Sequence, residues 1–140
     1  MQGLYFDELT VGMSAEASRV VGASDIEAFA EVSGDNNPVH LDEAYARTTT
    51  FGERIAHGML SASYISAILG TKLPGPGAIY LSQALRFRRP VKIGDLVVAR
   101  ATVTALDEAK GRVTLETVCD VGGKTVMDGE AVVIAPRRTA

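Results

Sequence analysis

The sequence predicts a single α+β domain in which an antiparallel sheet wraps one buried helix. Three observations carry that prediction. Residues 55–71 contain no Asp, Glu, Lys or Arg, and from Gly58 to Leu69 the only polar side chains are serines and one tyrosine. A helix that is apolar all round is a buried helix. From Ile79 onward the period changes to two, the signature of half-buried strands. Short glycine-containing links, Ala109-Lys110-Gly111-Arg112 and Gly122-Gly123, suit antiparallel hairpins. At 140 residues the chain fits one domain, 1–140.

The elements follow in order. Met13–Val21 is short and mixed and reads as a strand. Ser24-Asp25-Ile26-Glu27 reads as a capping box, with Ile26, Phe29 and Ala30 at helical spacing up to about Ser33. Gly34-Asp35-Asn36-Asn37-Pro38 is dense turn chemistry and ends that helix. A second short helix covers Asp42–Arg47. The buried helix runs over Gly58–Leu69 and is closed by Gly70 and Pro74-Gly75-Pro76-Gly77. Beyond it, Ile79, Leu81, Gln83, Leu85 and Phe87 alternate with Tyr80, Ser82, Ala84, Arg86 and Arg88. Asp95–Leu106, Arg112–Val121 and Lys124–Ala135 are similar, so a long antiparallel meander is expected after the helix. The compact arrangement wraps that sheet around the helix.

Composition excludes several classes of function. The net charge of −3 and pI near 5.4 argue against a general nucleic-acid binder. The one cysteine, Cys119, rules out an intrachain disulfide and a cysteine-rich zinc site, and suits a reducing cytoplasm. The first residues carry no basic segment followed by an apolar core, so no signal peptide is expected. The uncharged run is shorter than the roughly 20 apolar residues of a membrane span. With His40 and His57 the only histidines, a multi-histidine metal site is not expected. There is no GxGxxG and no phosphate loop.

Two segments can carry chemistry. In Asp35-Asn36-Asn37-Pro38-Val39-His40 a carboxylate and an imidazole flank a rigid Asn-Pro turn, which can aim both at one water as a general acid/base pair. The same loop also reads as plain turn chemistry, with Asp and Asn capping turns and His40 on the surface. His57-Gly58 opens the buried helix, where free amides attract negative charge and a glycine lets a ligand approach. That spot suits a developing oxyanion; it also reads as a simple helix start with a packed histidine. Arg86, Arg88, Arg89 and Lys92 form a basic cluster that reads either as a solvated sheet face or as a phosphate contact. Cys119 reads as a small buried hydrophobe.

These residues also resemble a known family. Ser33-Gly34-Asp35-Asn36-Asn37-Pro38-Val39-His40, continuing through Leu41-Asp42-Glu43-Ala44-Tyr45-Ala46, resembles the hydratase signature of MaoC-like proteins. Ile55-Ala56-His57-Gly58-Met59-Leu60 resembles the start of their central helix. Leu85-Arg86-Phe87-Arg88-Arg89-Pro90-Val91-Lys92-Ile93-Gly94-Asp95 resembles their strand, bend and Gly-Asp. The resemblance covers nearly the whole chain in order and is nearest to short, single-domain (R)-specific enoyl-CoA hydratases.

It implies a hot-dog fold, a homodimer and reversible hydration of trans-2-enoyl thioesters to (R)-3-hydroxyacyl thioesters. It implies that Asp35 and His40 are the catalytic pair, that Asn37 orders their loop, and that the Gly58 amide is the oxyanion donor beside His57. Arg86 and Arg88 would meet the pantetheine and phosphates. Helical steps from Gly58 place Ala62, Ser66 and Leu69 near one stripe that would line the acyl chain. No metal or redox cofactor is implied; CoA belongs to the substrate, and no nucleic acid or membrane is a partner. Three rivals stay open: a (3R)-hydroxyacyl-carrier-protein dehydratase, whose substrate is an acyl-carrier-protein thioester, a hot-dog thioesterase, and a non-catalytic subunit. Acyl length and pathway, polyhydroxyalkanoate supply among them, stay open too.

Overall fold

The computed structural model describes residues 2–138. A 3₁₀ turn at Phe6–Glu8 leads to strand β1 (Ser14–Val20) and helix α1 (Ala23–Ser33). Two short helices follow, α2 (Pro38–Leu41) and α3 (Glu43–Arg47), and then the central helix α4 (Gly58–Thr71). Strands β2 (Ile79–Phe87), β3 (Leu96–Asp107), β4 (Arg112–Val121) and β5 (Lys124–Ile134) complete the chain. The sheet is antiparallel throughout, in the order β1-β3-β4-β5-β2.

The expected meander holds for β3, β4 and β5 only. β2 pairs with β5 rather than with β3, because β1 already occupies that side of β3, from Ser14↔Thr102 to Val20↔Leu96. The segment after Phe87 therefore crosses to the other side of the sheet before β3 begins, and β1 and β2 lie at opposite edges. The strict alternation read along β2 also breaks. The register shifts between Tyr80 and Ser82, so Leu81 is an extra residue. Tyr80 thereby joins Gln83 on one face, where its hydroxyl donates to Gln83 Oε1. Gln83 Nε2 in turn donates to the buried Thr117 hydroxyl at 3.0 Å. Gly129 on β5 faces β2 closely; a Cβ there would overlap the Ala84 carbonyl oxygen.

The core lies between the sheet and α4. Val97, Ala99, Ala101 and Val103 of β3, Val113, Leu115 and Cys119 of β4, and Ala131 and Val133 of β5 point inward and are fully buried. They share one apolar cluster with Leu60, Ile65, Ile68 and Leu69 of α4. The alanines of β3 leave room for the helix to lie close to the sheet.

Two local expectations are corrected. α1 begins earlier than Ser24: Gly22 is its N-cap, and the Asp25 carboxylate accepts from the Gly22 amide at 2.8 Å. Asp25 sits at the third helical position, so it takes the role expected of Glu27. Helix α4 is not enclosed on every side. Its Met59, Ser63, Ser66, Ala67 and Gly70 are exposed in this chain. Leu60, Ile65, Ile68 and Leu69 pack into the core, and mostly small residues line the open side. Among the described residues no helix is long and apolar enough to cross a membrane.

Ile65 is wholly buried at the helix–sheet contact. Ile65→Ala should lower the unfolding free energy by about 2–5 kcal/mol, read from denaturant titration, because the sheet cannot collapse onto the vacancy.

Candidate active site

The carboxylate of the site comes from the loop that ends α1. Gly34 adopts φ +79° and its amide reaches Ala30 O at 2.9 Å, which stops the helix. The Asp35 amide then donates to Ser33 Oγ at 3.0 Å, and Asp35 Oδ1 accepts from the Asn37 amide at 3.3 Å. Asn37 caps α2, its Oδ1 accepting from Val39 N at 3.1 Å, and Pro38 occupies the first helical position. Turn chemistry alone predicts a loop here; the structure makes a short helix, for which Asn-Pro is the cap-then-proline start.

One turn of α2 carries His40 inward to 9% exposure. Its Nδ1 donates to Ile55 O at 2.8 Å. A carbonyl only accepts, so the proton sits on Nδ1 and Nε2 is a lone pair. Arg54 Nε donates to the His40 carbonyl at 2.7 Å, so residues 54 and 55 hold the histidine from two directions. Burial pushes the His40 pKa below its ordinary 6.5; the Ile55 hydrogen bond opposes this, His57 adds to it, and Asp35 opposes it. Nothing in the sequence signals the part played by Arg54.

His57 is the N-cap of α4 and is 2% exposed. Its ring stacks on that of His40, centroids 3.9 Å apart and planes at 28°, and its Nε2 donates to the Asp35 carbonyl at 2.8 Å. Gly58 follows. A Cβ on Gly58 would lie 2.6 Å from the Phe87 ring, so a side chain here would displace that ring. The backbone of the first turn of α4 is thus left at the wall of the cleft.

Asp35, His40, His57 and Gly58 line a cavity of about 430 Å³, closed by Phe51, Phe87, Arg88, Arg89 and Met127 among others. Arg88 is also ion-paired to Asp128 at 2.8 Å. A second groove of about 530 Å³ adjoins it, lined by Ala62, Ser63, Ser66, Tyr80, Gln83 and Leu85. Met59 borders both.

The structure thus gathers Asp35, His40, His57, Gly58 and Arg88, and sets Ala62 and Ser66 on the neighbouring groove. Asn37 stands behind as a cap. Leu69 is not on the groove wall: the last helical step turns it into the core, where it is 2% exposed. Arg86 lines neither cavity; it lies opposite Asp128 in the ladder. The sequence reading did not single out Phe51, Met59 or Phe87 as walls, although Phe87 shares the strand face of Gln83 and Leu85. Cys119 is fully buried, and burial pushes its thiol up to about 12, so it is inert.

Asp35, His40 and His57 each offer a donor atom within 4.8 Å of the others. One nitrogen of each imidazole is already bonded to a backbone carbonyl, His40 Nδ1 to Ile55 and His57 Nε2 to Asp35. The set is better arranged as a carboxylate and a basic imidazole acting on one water, beside helix-end amides that can stabilise negative charge.

The comparisons agree with that geometry. The family described as "MaoC like domain" matches residues 8–125. The chain is 54% identical over 134 residues to an (R)-specific enoyl-CoA hydratase of Rhodospirillum rubrum, covering 96% of this chain and 93% of that one. It is 49% identical over 135 residues to a 3-hydroxybutyryl-CoA dehydratase of Methylorubrum extorquens, covering 96% and 86%. Among solved structures, an unliganded R-hydratase from Pseudomonas aeruginosa superposes with a TM-score of 0.92 at 51% identity, covering 97% of this chain and 88% of that one. A sheet curved round one helix, a paired Asp35 and His40, and this likeness along almost the whole length place the chain in the MaoC-like family, with its hot-dog fold.

Proposed function

We propose that this protein is a hydro-lyase that reversibly hydrates trans-2-enoyl-CoA to (R)-3-hydroxyacyl-CoA. The observation that carries this reading is the convergence of Asp35, His40 and Gly58 on one cleft that opens beside an apolar groove. The thioester carbonyl sits at the head of α4, where the Gly58 amide and the helix dipole stabilise charge. Asp35 and His40 hold a water against the β-carbon. As its oxygen bonds to that carbon, the pair takes its proton and the electron pair of the double bond moves onto the thioester oxygen. The pair then returns a proton to the α-carbon, which restores the carbonyl and balances the reaction. His40 serves in its neutral form, with Nε2 free to accept.

The residues present supply each of these roles without a metal or redox group, so CoA enters only as part of the substrate. Arg88 and Arg89, at the wall of the cleft, suit its phosphates. Ala62 and Ser66 suit the acyl chain. Edge strand β2 exposes Ile79, Leu81 and Phe87, the kind of open apolar edge that a second copy covers, which supports a homodimer. An acyl-CoA substrate and a single buried thiol suit the cytoplasm.

Loss of enoyl-thioester absorbance with crotonyl-CoA tests the reading. Asp35→Asn and His40→Gln should each lower the rate about 100- to 10,000-fold. Turnover of a carrier-protein thioester in preference to CoA would instead point to the dehydratase of a synthetic pathway. Because the pKa of His40 lies below 6.5, its neutral form persists into acid, and the acid limb of kcat/KM should fall below pH 6.5. Ser66→Leu, which fills the groove, should lower kcat/KM for long enoyl chains about 10-fold or more while sparing crotonyl-CoA.

A further inference from the structure

We propose that His57 is the positioning residue that holds the Asp35 loop, the His40 ring and the Gly58 amide in one geometry. The inference rests on the hydratase reading and adds a role for a side chain that takes no part in the proton transfers. It starts from an anomaly. The N-cap of a helix favours Ser, Thr, Asp or Asn, whose side chains accept from the free amides. His57 holds that position in α4 and makes no side-chain cap bond. Its Nε2–H goes to the Asp35 carbonyl instead, which leaves Nδ1 buried without a partner among the described residues. Buried polar atoms nearly always have partners. The helix forgoes a cap and the ring forgoes a hydrogen bond, and stability alone does not account for either.

The contacts of His57 account for both. Asp35 is otherwise tied only within its own stretch of chain, to Ser33 Oγ and the Asn37 amide. The bond from His57, 22 residues away, is the one described hydrogen bond that fixes Asp35 to another element. The same ring stacks on His40. Phe29 of α1 packs against His57, centroids 4.8 Å apart and tilted by 49°, so the ring cannot swing away. The next residue is Gly58. One side chain thus touches the carboxylate loop and the imidazole and precedes the oxyanion amide in the chain. A displacement of about 1 Å among such groups can cost about 100-fold in rate.

The stack also bears on His40 electrostatically. The titratable and charged groups around His40 are Asp35 on the α1–α2 loop, His57 at the head of α4, Arg54 on its carbonyl, and Arg88 and Arg89 at the cleft wall. Of these, His57 favours the neutral form of His40 and Asp35 opposes it. Removing His57 while keeping its volume therefore raises the His40 pKa, and the acid limb moves to higher pH.

His57→Phe keeps a flat ring for the stack and loses the donor. His57→Gln keeps an amide donor and loses the ring. Both are assayed beside the wild type with crotonyl-CoA, for kcat, KM, the pH profile and the thermal midpoint. Folded His57→Phe should lose about 10- to 100-fold in kcat with KM within about threefold, and its acid limb should move up. His57→Gln should recover part of that kcat. A folded His57→Phe with kcat within about threefold of wild type and an unmoved acid limb overturns the proposal. So does a loss confined to KM, which would make His57 a substrate contact. If His57→Phe does not fold, His57→Gln decides: an unmoved kcat and acid limb overturn the proposal, and a loss of kcat with a raised limb supports it. A wild type that hydrates nothing overturns the hydratase reading, and the positioning role with it.

Discussion

Helix α4 is seated in the sheet by buried side chains, Ile65 and Ile68 sharing one apolar cluster with Ala99, Ala101 and Leu115, and the geometry of the cleft depends on that seating. The helix has little polar surface with which to orient itself. Burial of its apolar side fixes its rotation, and rotation fixes which residues meet the catalytic loop. His57 and Gly58 lie at its first turn, so a buried contact near the middle of α4 sets the position of amides several residues away. The hydrophobic effect is non-directional. Here the close fit of small alanines beneath a helix turns it into a precise constraint.

The polar side of the site is built from local chemistry. Gly34, Asn37 and Pro38 each end or begin a helix, and together they form a short rigid bend that presents Asp35 and His40 to one cleft. The segment at residues 54–57 then grips that bend three times, through Arg54 to the His40 carbonyl, His40 to the Ile55 carbonyl, and His57 to the Asp35 carbonyl. All three bonds use backbone carbonyls, which leaves the Asp35 carboxylate and His40 Nε2 for chemistry. Burial of His40 then keeps its imidazole neutral over a wider pH range.

Much of this was legible in the sequence, and the reasons for the rest are physical. The period of two from Val113 to Val121 and the charge-free run from Met59 to Leu69 both report burial of at least one face, so strands and central helix could be read. Strand order could not: β2 and β3 are neighbours in the chain, and only the prior claim of β1 on β3 sends β2 to β5. The Leu81 bulge left no mark because alternation looks regular on either side of it. At the site, Asp35, His40 and Gly58 carry a recognisable pattern. Arg54 does not, since its task is to hold a carbonyl, and many side chains at many spacings can do that. Leu69 was misplaced on the groove because a helical step of three or four leaves an uncertainty of a third of a turn, enough to separate wall from core.

The groove lies between strand β2 and the exposed side of α4. Ser63 and Ser66 there stabilise little by packing and touch none of the proton-handling groups. Substitutions on that side disturb neither the buried packing nor the acid/base pair. Chain-length preference can therefore be altered there while the reaction and the fold stay as they were. Met59, which borders both cavities, marks where that freedom ends.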